Sequence, residues 1–219
     1  QGMMTWYLHG DGLKLWEETY SAFSLVPRPG PSTGVQMAGW FRKKINSIAD
    51  YKGLKMRIPG LGGKIVGAAG GTVVLTPGGE IYTALERGVI DSTEWVGPHD
   101  DMKLGLHNAA RYYYAPGWHE PGTTAEFGFN KKAYESLPAD LKAIVDWACQ
   151  ATQVYTLQEY EYKNTVALQK LKTDFKGKVE LVTLSGATLK ELKKLAEPVL
   201  KEESEKTAQA KKVYASVNK

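Results

Sequence analysis

The length and composition of the chain indicate a globular protein. Its 219 residues are 42% hydrophobic, which is enough for one large or two small domains and argues against disorder. The 28 basic and 24 acidic side chains nearly balance at a formal charge of +4, so we expect no nucleic-acid partner. The single cysteine, Cys149, excludes an internal disulfide, and we expect it to lie in the core.

Membrane and leader signals are missing from the sequence as given. No apolar run approaches the roughly 20 residues needed to cross a bilayer, and no charged and apolar leader opens the chain. Because the first residue is Gln1 rather than methionine, we expect that a signal peptide has already been removed.

The N-terminal region predicts two strands separated by a helix. Residues 3–8 (MMTWYL) predict a buried strand because they are continuously apolar or β-favouring. Residues 13–23 predict a helix. Leu25 and Val26 predict a short strand that ends at residues 27–31, where three prolines interrupt the hydrogen-bond ladder.

The middle of the chain alternates strands with helices. Strands are predicted at 54–58 and 73–75, and helices at 64–69 and 80–87, the second of which ends at Gly88. This alternation predicts parallel βαβ units in an α/β fold. Ligands of such sheets bind at the carboxyl ends of the strands.

The remaining residues divide into a loop-rich and a helical region. Residues 92–128 are rich in aromatics and turns, whereas residues from 131 onward show helical periodicity. A strand at 179–184 interrupts the helices, and an amphipathic helix from 189 carries interleaved lysines and glutamates typical of a solvated face.

Arg57 is the first candidate for a functional side chain. It lies at the carboxyl end of the apolar strand 54–58, where a planar guanidinium would suit a ligand carboxylate. An arginine at the same place would equally well close a structural ion pair. Position alone leaves both interpretations open.

Several other polar residues suggest chemistry without completing a known motif. The glycines of residues 60–71 lack the spacing of a phosphate-binding loop, and His119-Glu120 lacks the second histidine of a zinc protease. Glu120 is a possible oxygen ligand for a hard cation. Five residues form a loose cluster that could hold a metal or act as acid and base: Asp91, Glu94, His99, Asp100 and Asp101. Alternatively, they simply begin a helix near residue 98.

Three motifs resemble one family in their order and spacing. They are residues 33–41 (TGVQMAGWF), 53–57 (GLKMR) and 78–91 (GGEIYTALERGVID), and together they resemble the DctP-type periplasmic subunits of TRAP transporters. Residues 94–98 (EWVGP), 112–114 (YYY) and 116–118 (PGW) are similar to the branch that binds 2-oxo acids or related monocarboxylates with a metal cation.

The resemblance implies a binding site and its ligands. Arg57 would bind the substrate carboxylate, and Gln36 and Trp95 would also contact the substrate. Gln36, Glu94, the backbone oxygen of Trp95 and Glu120 would hold a sodium or calcium ion, with no organic cofactor. A cation so held can chelate the carboxylate and 2-oxo oxygens while Arg57 neutralises the remaining charge.

The resemblance also implies an architecture and partners. It predicts a two-lobe α/β fold of the periplasmic-binding-protein kind, with the N-terminal lobe largely missing from this chain. Residues 1–90 and 131–219 would form the second lobe, and 91–130 would return to the first. The implied partners are a small carboxylate and the TRAP membrane subunits, with a possible homodimer through the C-terminal helix and a periplasmic location.

Two alternatives to a transport role stay open. A metal-dependent lyase or hydrolase acting on a small carboxylate would use Glu94, Asp100 and Glu120. Alternatively, the chain is a fragment that binds weakly because part of its cleft is missing.

Overall fold

The computed structural model describes residues 2–218. Within this range the chain forms ten α-helices and eight β-strands. The helices are α1 (Gly2–His9), α2 (Gly12–Ser21), α3 (Gly60–Ala68), α4 (Ile81–Glu86), α5 (Pro98–Lys103), α6 (Leu106–Ala109), α7 (Lys131–Glu135), α8 (Ala139–Thr173), α9 (Gly186–Glu205) and α10 (Ala208–Val217). The strands are β1 (Leu25–Ser32), β2 (Gly39–Phe41), β3 (Lys55–Arg57), β4 (Thr72–Val73), β5 (Ser92–Thr93), β6 (Tyr112–Ala115), β7 (Thr124–Asn130) and β8 (Glu180–Thr183).

The chain divides into two compact units. The first comprises residues 1–32, 124–157 and 200–219, and the second comprises 33–123 and 158–199. These boundaries do not coincide with those predicted near 90 and 130. The assignment of segments to a first or second lobe of the family stays a prediction.

The first unit contains a two-stranded antiparallel sheet of β1 and β7. Strand β1 continues through the proline-rich stretch, so the prediction that it ends near Val26 is wrong. Pro27 and Pro29 lie two residues apart, so their missing N–H groups face the same edge, and Pro31 lies in an irregularity of the register between Pro29 and Ser32. The residues between them keep their N–H groups, and Arg28 pairs opposite Phe127 of β7.

The N-terminal segment is helical, and the strand predicted at residues 3–8 is therefore wrong. A short apolar run does not distinguish a strand from a helix, because its tertiary contacts decide. In α1, the indole of Trp6 donates to Ser216 Oγ at 2.9 Å, and the rings of Tyr7 and Trp16 lie 5.2 Å apart. These contacts join α1 to α10 and α2 on one helical face.

A buried arginine connects four elements of the first unit. Arg28 is 9% exposed and donates to Asp146 Oδ1 at 2.7 Å, to Glu17 Oε1 at 2.6 Å and to the Tyr134 hydroxyl at 2.9 Å. The pKa of this guanidinium is raised because these hydrogen bonds to two carboxylates and a hydroxyl outweigh its burial.

The second unit is built on a six-stranded mixed sheet with the order β4-β3-β5-β2-β6-β8. Strands β4, β3 and β5 are parallel, as the βαβ pattern predicted, and β6 and β8 are also parallel. Strand β2 lies between these two groups and is antiparallel to both neighbours. The α/β class is confirmed, although the sheet is mixed.

Neighbouring residues of the central strands pack on opposite faces of this sheet. Phe41 and Tyr114 join the core beneath α3 and α9, whereas Trp40 and Tyr113 join the core beneath α4 and α6. Side chains alternate along a strand, so a strand covered by helices on both faces is apolar at successive positions. The second unit therefore has helices on both faces of its sheet.

Two further findings concern single features of the described residues. Cys149 is 4% exposed, which confirms its place in the interior. Among residues 2–218, no helix is both long and apolar enough to span a membrane.

Tyr114 fixes the segment after β2 through its hydroxyl. This group accepts from the Ile45 N–H at 2.7 Å and donates to the Ile45 carbonyl at 3.0 Å. Tyr114→Phe leaves two buried backbone groups unpaired, so we expect a loss of about 1–3 kcal/mol in the free energy of unfolding, measured in urea. Tyr82→Phe is the control, because its hydroxyl bonds an exposed Glu86, and it should cost about 0.5 kcal/mol or less. Equal losses in the two variants would contradict the assigned role.

Candidate functional site

The sheet of the second unit brings the predicted site residues to one of its ends. Arg57 and Thr93 are register partners at the carboxyl ends of the parallel strands β3 and β5, and Glu94 follows directly. Because β2 is antiparallel to β5 and β6, the residues before β2 and after β6 reach the same end. Gln36 and the 117–120 loop therefore lie beside Glu94.

The guanidinium of Arg57 is held on three sides. Its Nη1 donates to Glu94 Oε1 at 2.6 Å, its Nε donates to the Thr76 carbonyl at 3.4 Å, and its carbon lies 5.4 Å from the centre of the Trp95 ring. The side chain is 14% exposed. Among residues 2–218, Nη2 has no hydrogen-bond acceptor, so one donor group of a largely buried guanidinium is free.

Glu94 is the acidic centre of the site. Its side chain is 3% exposed, and its second oxygen lies 3.2 Å from Nε2 of His119, whose side chain is equally buried. The second ring nitrogen of His119, Nδ1, is buried without a hydrogen-bond partner in the described chain. Both oxygens of Glu94 therefore have partners, and one of these partners is the guanidinium cation of Arg57.

Gln36 and Glu120 are joined through a threonine. The Gln36 amide nitrogen donates to the Thr123 hydroxyl at 2.7 Å, and this hydroxyl donates to Glu120 Oε1. The amide oxygen of Gln36 is buried and has no hydrogen-bond partner within residues 2–218. The hydrogen bond donated by the amide nitrogen thus sets the orientation of the Gln36 side chain, and the amide oxygen remains an unused acceptor.

Asp101 supports the loop that carries Glu94, a role that the sequence did not indicate. Its carboxylate is 1% exposed and accepts from the Val96 N–H at 3.0 Å, the Trp40 indole at 3.0 Å and the Tyr113 hydroxyl at 2.8 Å. Burial raises the pKa of Asp101 to about 7, against the opposing effect of these hydrogen bonds. The Val96 carbonyl in turn accepts from the N–H of Met37, next to Gln36.

The structure divides the loose acidic cluster predicted from the sequence. Asp91 accepts from the backbone N–H of Lys55, at the opposite end of the sheet, and Asp100 pairs with Lys103 at 3.5 Å in α5. Pro98 begins α5, which confirms the predicted helix start. In the part of the chain that the structure describes, no three His, Cys, Asp or Glu side chains form a metal-binding group. The prediction that these five residues form a single metal or acid-base site is therefore wrong.

The predicted ligand residues, by contrast, lie at one end of the sheet in two hydrogen-bonded chains. Hydrogen bonds link Arg57 to Glu94 and Glu94 to His119, and a second chain links Gln36 to Glu120. The pairing of His119 with Glu94 and the role of Thr123 were not predicted from the sequence. Neither residue belongs to a motif with a recognisable spacing, since their roles arise from the folding of the 117–123 loop.

The sequence matches a known family. The sequence model of the DctP family, described as bacterial extracellular solute-binding protein, family 7, matches residues 14–207. The match covers most of the chain, and the chain therefore belongs to this family. Its members are extracytoplasmic solute-binding proteins rather than enzymes, as the motifs predicted.

Individual relatives are similar over nearly the whole chain. The monocarboxylate 2-oxoacid-binding periplasmic protein of Nostoc sp. is 42% identical over 98% of this chain, which spans 58% of that relative. A TRAP periplasmic solute-binding protein from Pseudoalteromonas atlantica, with bound sodium and pyruvate, is 38% identical with a TM-score of 0.90, covering 99% of this chain and 65% of that one. Another such protein, from Colwellia psychrerythraea and with bound calcium and pyruvate, is 39% identical with a TM-score of 0.92. The match covers 99% of this chain and 66% of that one.

The buried carboxylate of Asp101 leads to a prediction on stability and pH. Because its folded pKa is raised above the unfolded value, the folded state binds the proton more tightly. Its contribution to stability is therefore largest below pH about 4 and decreases as the pH rises to about 7. We expect the free energy of unfolding of the wild type, minus that of Asp101→Asn, to decrease over this interval in urea titrations. A difference that is independent of pH would show that folding does not raise the pKa of Asp101.

Proposed function

We propose that this chain acts as a solute-binding subunit of a TRAP transporter that captures a 2-oxo acid such as pyruvate. Arg57 receives the ligand carboxylate, and Gln36 and Trp95 contact the ligand. The observation that carries this proposal is the free Nη2 donor of Arg57 in a largely buried setting. A charged donor in such a place gains most from an ionised acceptor, and a guanidinium matches the planar carboxylate.

The two interpretations of Arg57 are compatible with each other. The ion pair with Glu94 uses Nη1, so it orients the guanidinium and leaves Nη2 for a ligand. The Trp95 ring limits the motion of the same group. Arg57 thus combines a structural ion pair with a position suited to binding.

A cation is the second part of the proposal. Gln36 Oε1 is a buried acceptor without a donor in residues 2–218, which fits a group that supplies oxygen to a hard cation. Glu94, the backbone oxygen of Trp95 and Glu120 would complete the set around sodium or calcium. Bound there, the cation supplies positive charge for the carboxylate and 2-oxo oxygens of the ligand. The relatives with bound pyruvate hold sodium in one case and calcium in another.

The proposal extends to the partners and the location. The chain would work in the periplasm and deliver its ligand to the TRAP membrane subunits, without chemical change of the ligand. The homodimer through the C-terminal helix stays a prediction. The alternative of a lyase or hydrolase lacks support, because Asp100 pairs with Lys103 and no contact in residues 2–218 joins it to Glu94 or Glu120.

Substitution of Arg57 tests the carboxylate site. We expect Arg57→Ala to abolish measurable pyruvate binding in calorimetry and Arg57→Lys to weaken it by at least about tenfold, since lysine keeps the charge without the planar fork. The melting temperature without ligand reports the structural part of the change, because loss of the arginine leaves Glu94 without its guanidinium partner.

Arg87→Ala is the matched control for Arg57. This arginine is exposed at the end of α4 in the same unit, so its removal should leave pyruvate affinity within about twofold of wild type. Equal pyruvate affinity in Arg57→Lys, Arg87→Ala and wild type would overturn the proposal.

Removal of the cation tests the second part. After treatment with a chelator and exchange into a sodium-free choline buffer, we expect pyruvate to lose most of its effect on the melting temperature. Addition of either calcium or sodium should restore that effect, and the ion effective at lower concentration identifies the preferred cation. Glu120→Gln should weaken this rescue, because the amide removes a charge from the cation site. Undiminished pyruvate binding without either ion would remove the cation from the proposal and leave the role of Arg57 intact.

A further inference from the structure

A basic pocket lies at the end of the six-stranded sheet opposite to the candidate site. The register places the end of β2 beside the beginnings of β6 and β8, since Phe41 pairs with Tyr112 and Tyr112 pairs with Glu180. Arg42 follows β2, Arg111 precedes β6, and Lys178 lies two residues before β8. These three side chains line one cavity of about 260 Å³ together with His107 and Asn108.

The three cations of this pocket lack counter-ions. Within residues 2–218, none of the side chains of Arg42, Arg111 and Lys178 forms an ion pair with a carboxylate. Asp91 and Glu180, which lie at this end, have other partners, because Asp91 accepts from the Lys55 backbone and Glu180 pairs with Lys44. Positive charges gathered in a concave surface raise the local potential and attract anions.

The three cations are exposed, and each also lies beside a neighbouring backbone or aromatic ring. The Arg42 guanidinium lies over the backbone of Gly88, where a Cβ would come within 2.4 Å of its Nη1. Gly88 has a φ of +75° and follows the end of α4, so a side chain here would be both strained and in collision with Arg42. Arg111 lies 5.8 Å from the centre of the Tyr112 ring, and Lys178 lies 6.0 Å from that of Phe175.

Two uncharged polar residues, His107 and Asn108, also line the pocket. Nδ1 of His107 is buried without a hydrogen-bond partner in the described residues, and its ring lies 4.5 Å from that of Phe175. The amide of Asn108 adds a donor at the exposed rim. Guanidinium groups suit the tetrahedral oxygens of a phosphate better than a single carboxylate, because two can bind different edges of the same anion.

We propose that this pocket binds a phosphate group through Arg42, Arg111 and Lys178. The ligand class is an anionic phosphate group, supplied either as free inorganic phosphate or as the phosphodiester headgroup of an anionic lipid. The site is distinct from the Arg57 site because it occupies the other end of the same sheet. It does not depend on the function proposed above.

Calorimetric titration with inorganic phosphate in low-salt buffer at neutral pH tests this site. We expect saturable binding that weakens steeply with added salt, and a decrease in affinity of at least about tenfold in Arg42→Gln and in Arg111→Gln. Lys193→Gln is the matched control, because it removes an equal charge from the exposed face of α9 and should change phosphate affinity by less than about twofold.

Vesicle binding distinguishes the two sources of the phosphate. Sedimentation with vesicles of phosphatidylglycerol and phosphatidylcholine is compared with pure phosphatidylcholine, for the wild type and the same three variants. Retention on the anionic vesicles that is lost in Arg42→Gln and Arg111→Gln assigns the site to a lipid headgroup, whereas phosphate binding alone assigns it to the free anion. Absence of both, or equal losses in Lys193→Gln, overturns the proposal. Pyruvate affinity should be unchanged in these variants, so the two sites are tested separately.

Discussion

The ion pair between Arg57 and Glu94 is the interaction on which the candidate site depends. Both side chains are largely withdrawn from water, at 14% and 3% exposure, and the atoms of the pair are 2.6 Å apart. A buried charge is tolerated only where an opposite charge and hydrogen bonds replace its hydration. The parallel register of β3 and β5 supplies this condition, because it makes Arg57 the direct neighbour of Thr93 and brings Glu94 within reach.

The residues around this pair combine a rigid hydrogen-bonded frame with groups that can still bind a ligand. Glu94 has a partner on each oxygen, and the loop that carries it is fixed by Asp101, which accepts from three donors on different segments. Within this fixed frame, two groups keep unused hydrogen-bonding capacity in residues 2–218: the Nη2 donor of the largely buried Arg57 side chain and the buried Oε1 acceptor of Gln36. A preorganised frame lowers the entropy lost when a ligand binds, so unsatisfied groups inside it are well suited to recognition.

The alternation of strands and helices between residue 54 and Gly88 could be predicted from the sequence because local signals determine it, whereas the strands β2, β5 and β6 were not predicted. The strands 54–58 and 73–75 and the helix before Gly88 follow from apolar runs and a terminal glycine, and the structure confirms them with small shifts. The helix at residues 3–8 could not be predicted, since its aromatic face is determined by contacts with α2 and α10. The strand through the prolines was not predicted for a different reason. Proline prevents pairing only on the edge where its N–H is needed, and a two-residue period leaves the other edge intact.

The site divides in the same way between local and long-range determinants. Arg57 follows from its place at a strand end, and the family motifs add Gln36, Glu94 and Glu120. His119 and Thr123 could not be found, because they reach Glu94 and Gln36 only after the 117–123 loop folds back along residues 33–36. The N–H of Gly117 donates to the Gln36 carbonyl at 3.2 Å, and a Cβ at Gly117 would lie 2.6 Å from the oxygen of that carbonyl. The close approach that Gly117 permits is a property of the folded backbone, and it lets residues more than 80 positions apart in sequence, such as Gln36 and Thr123, share a hydrogen bond.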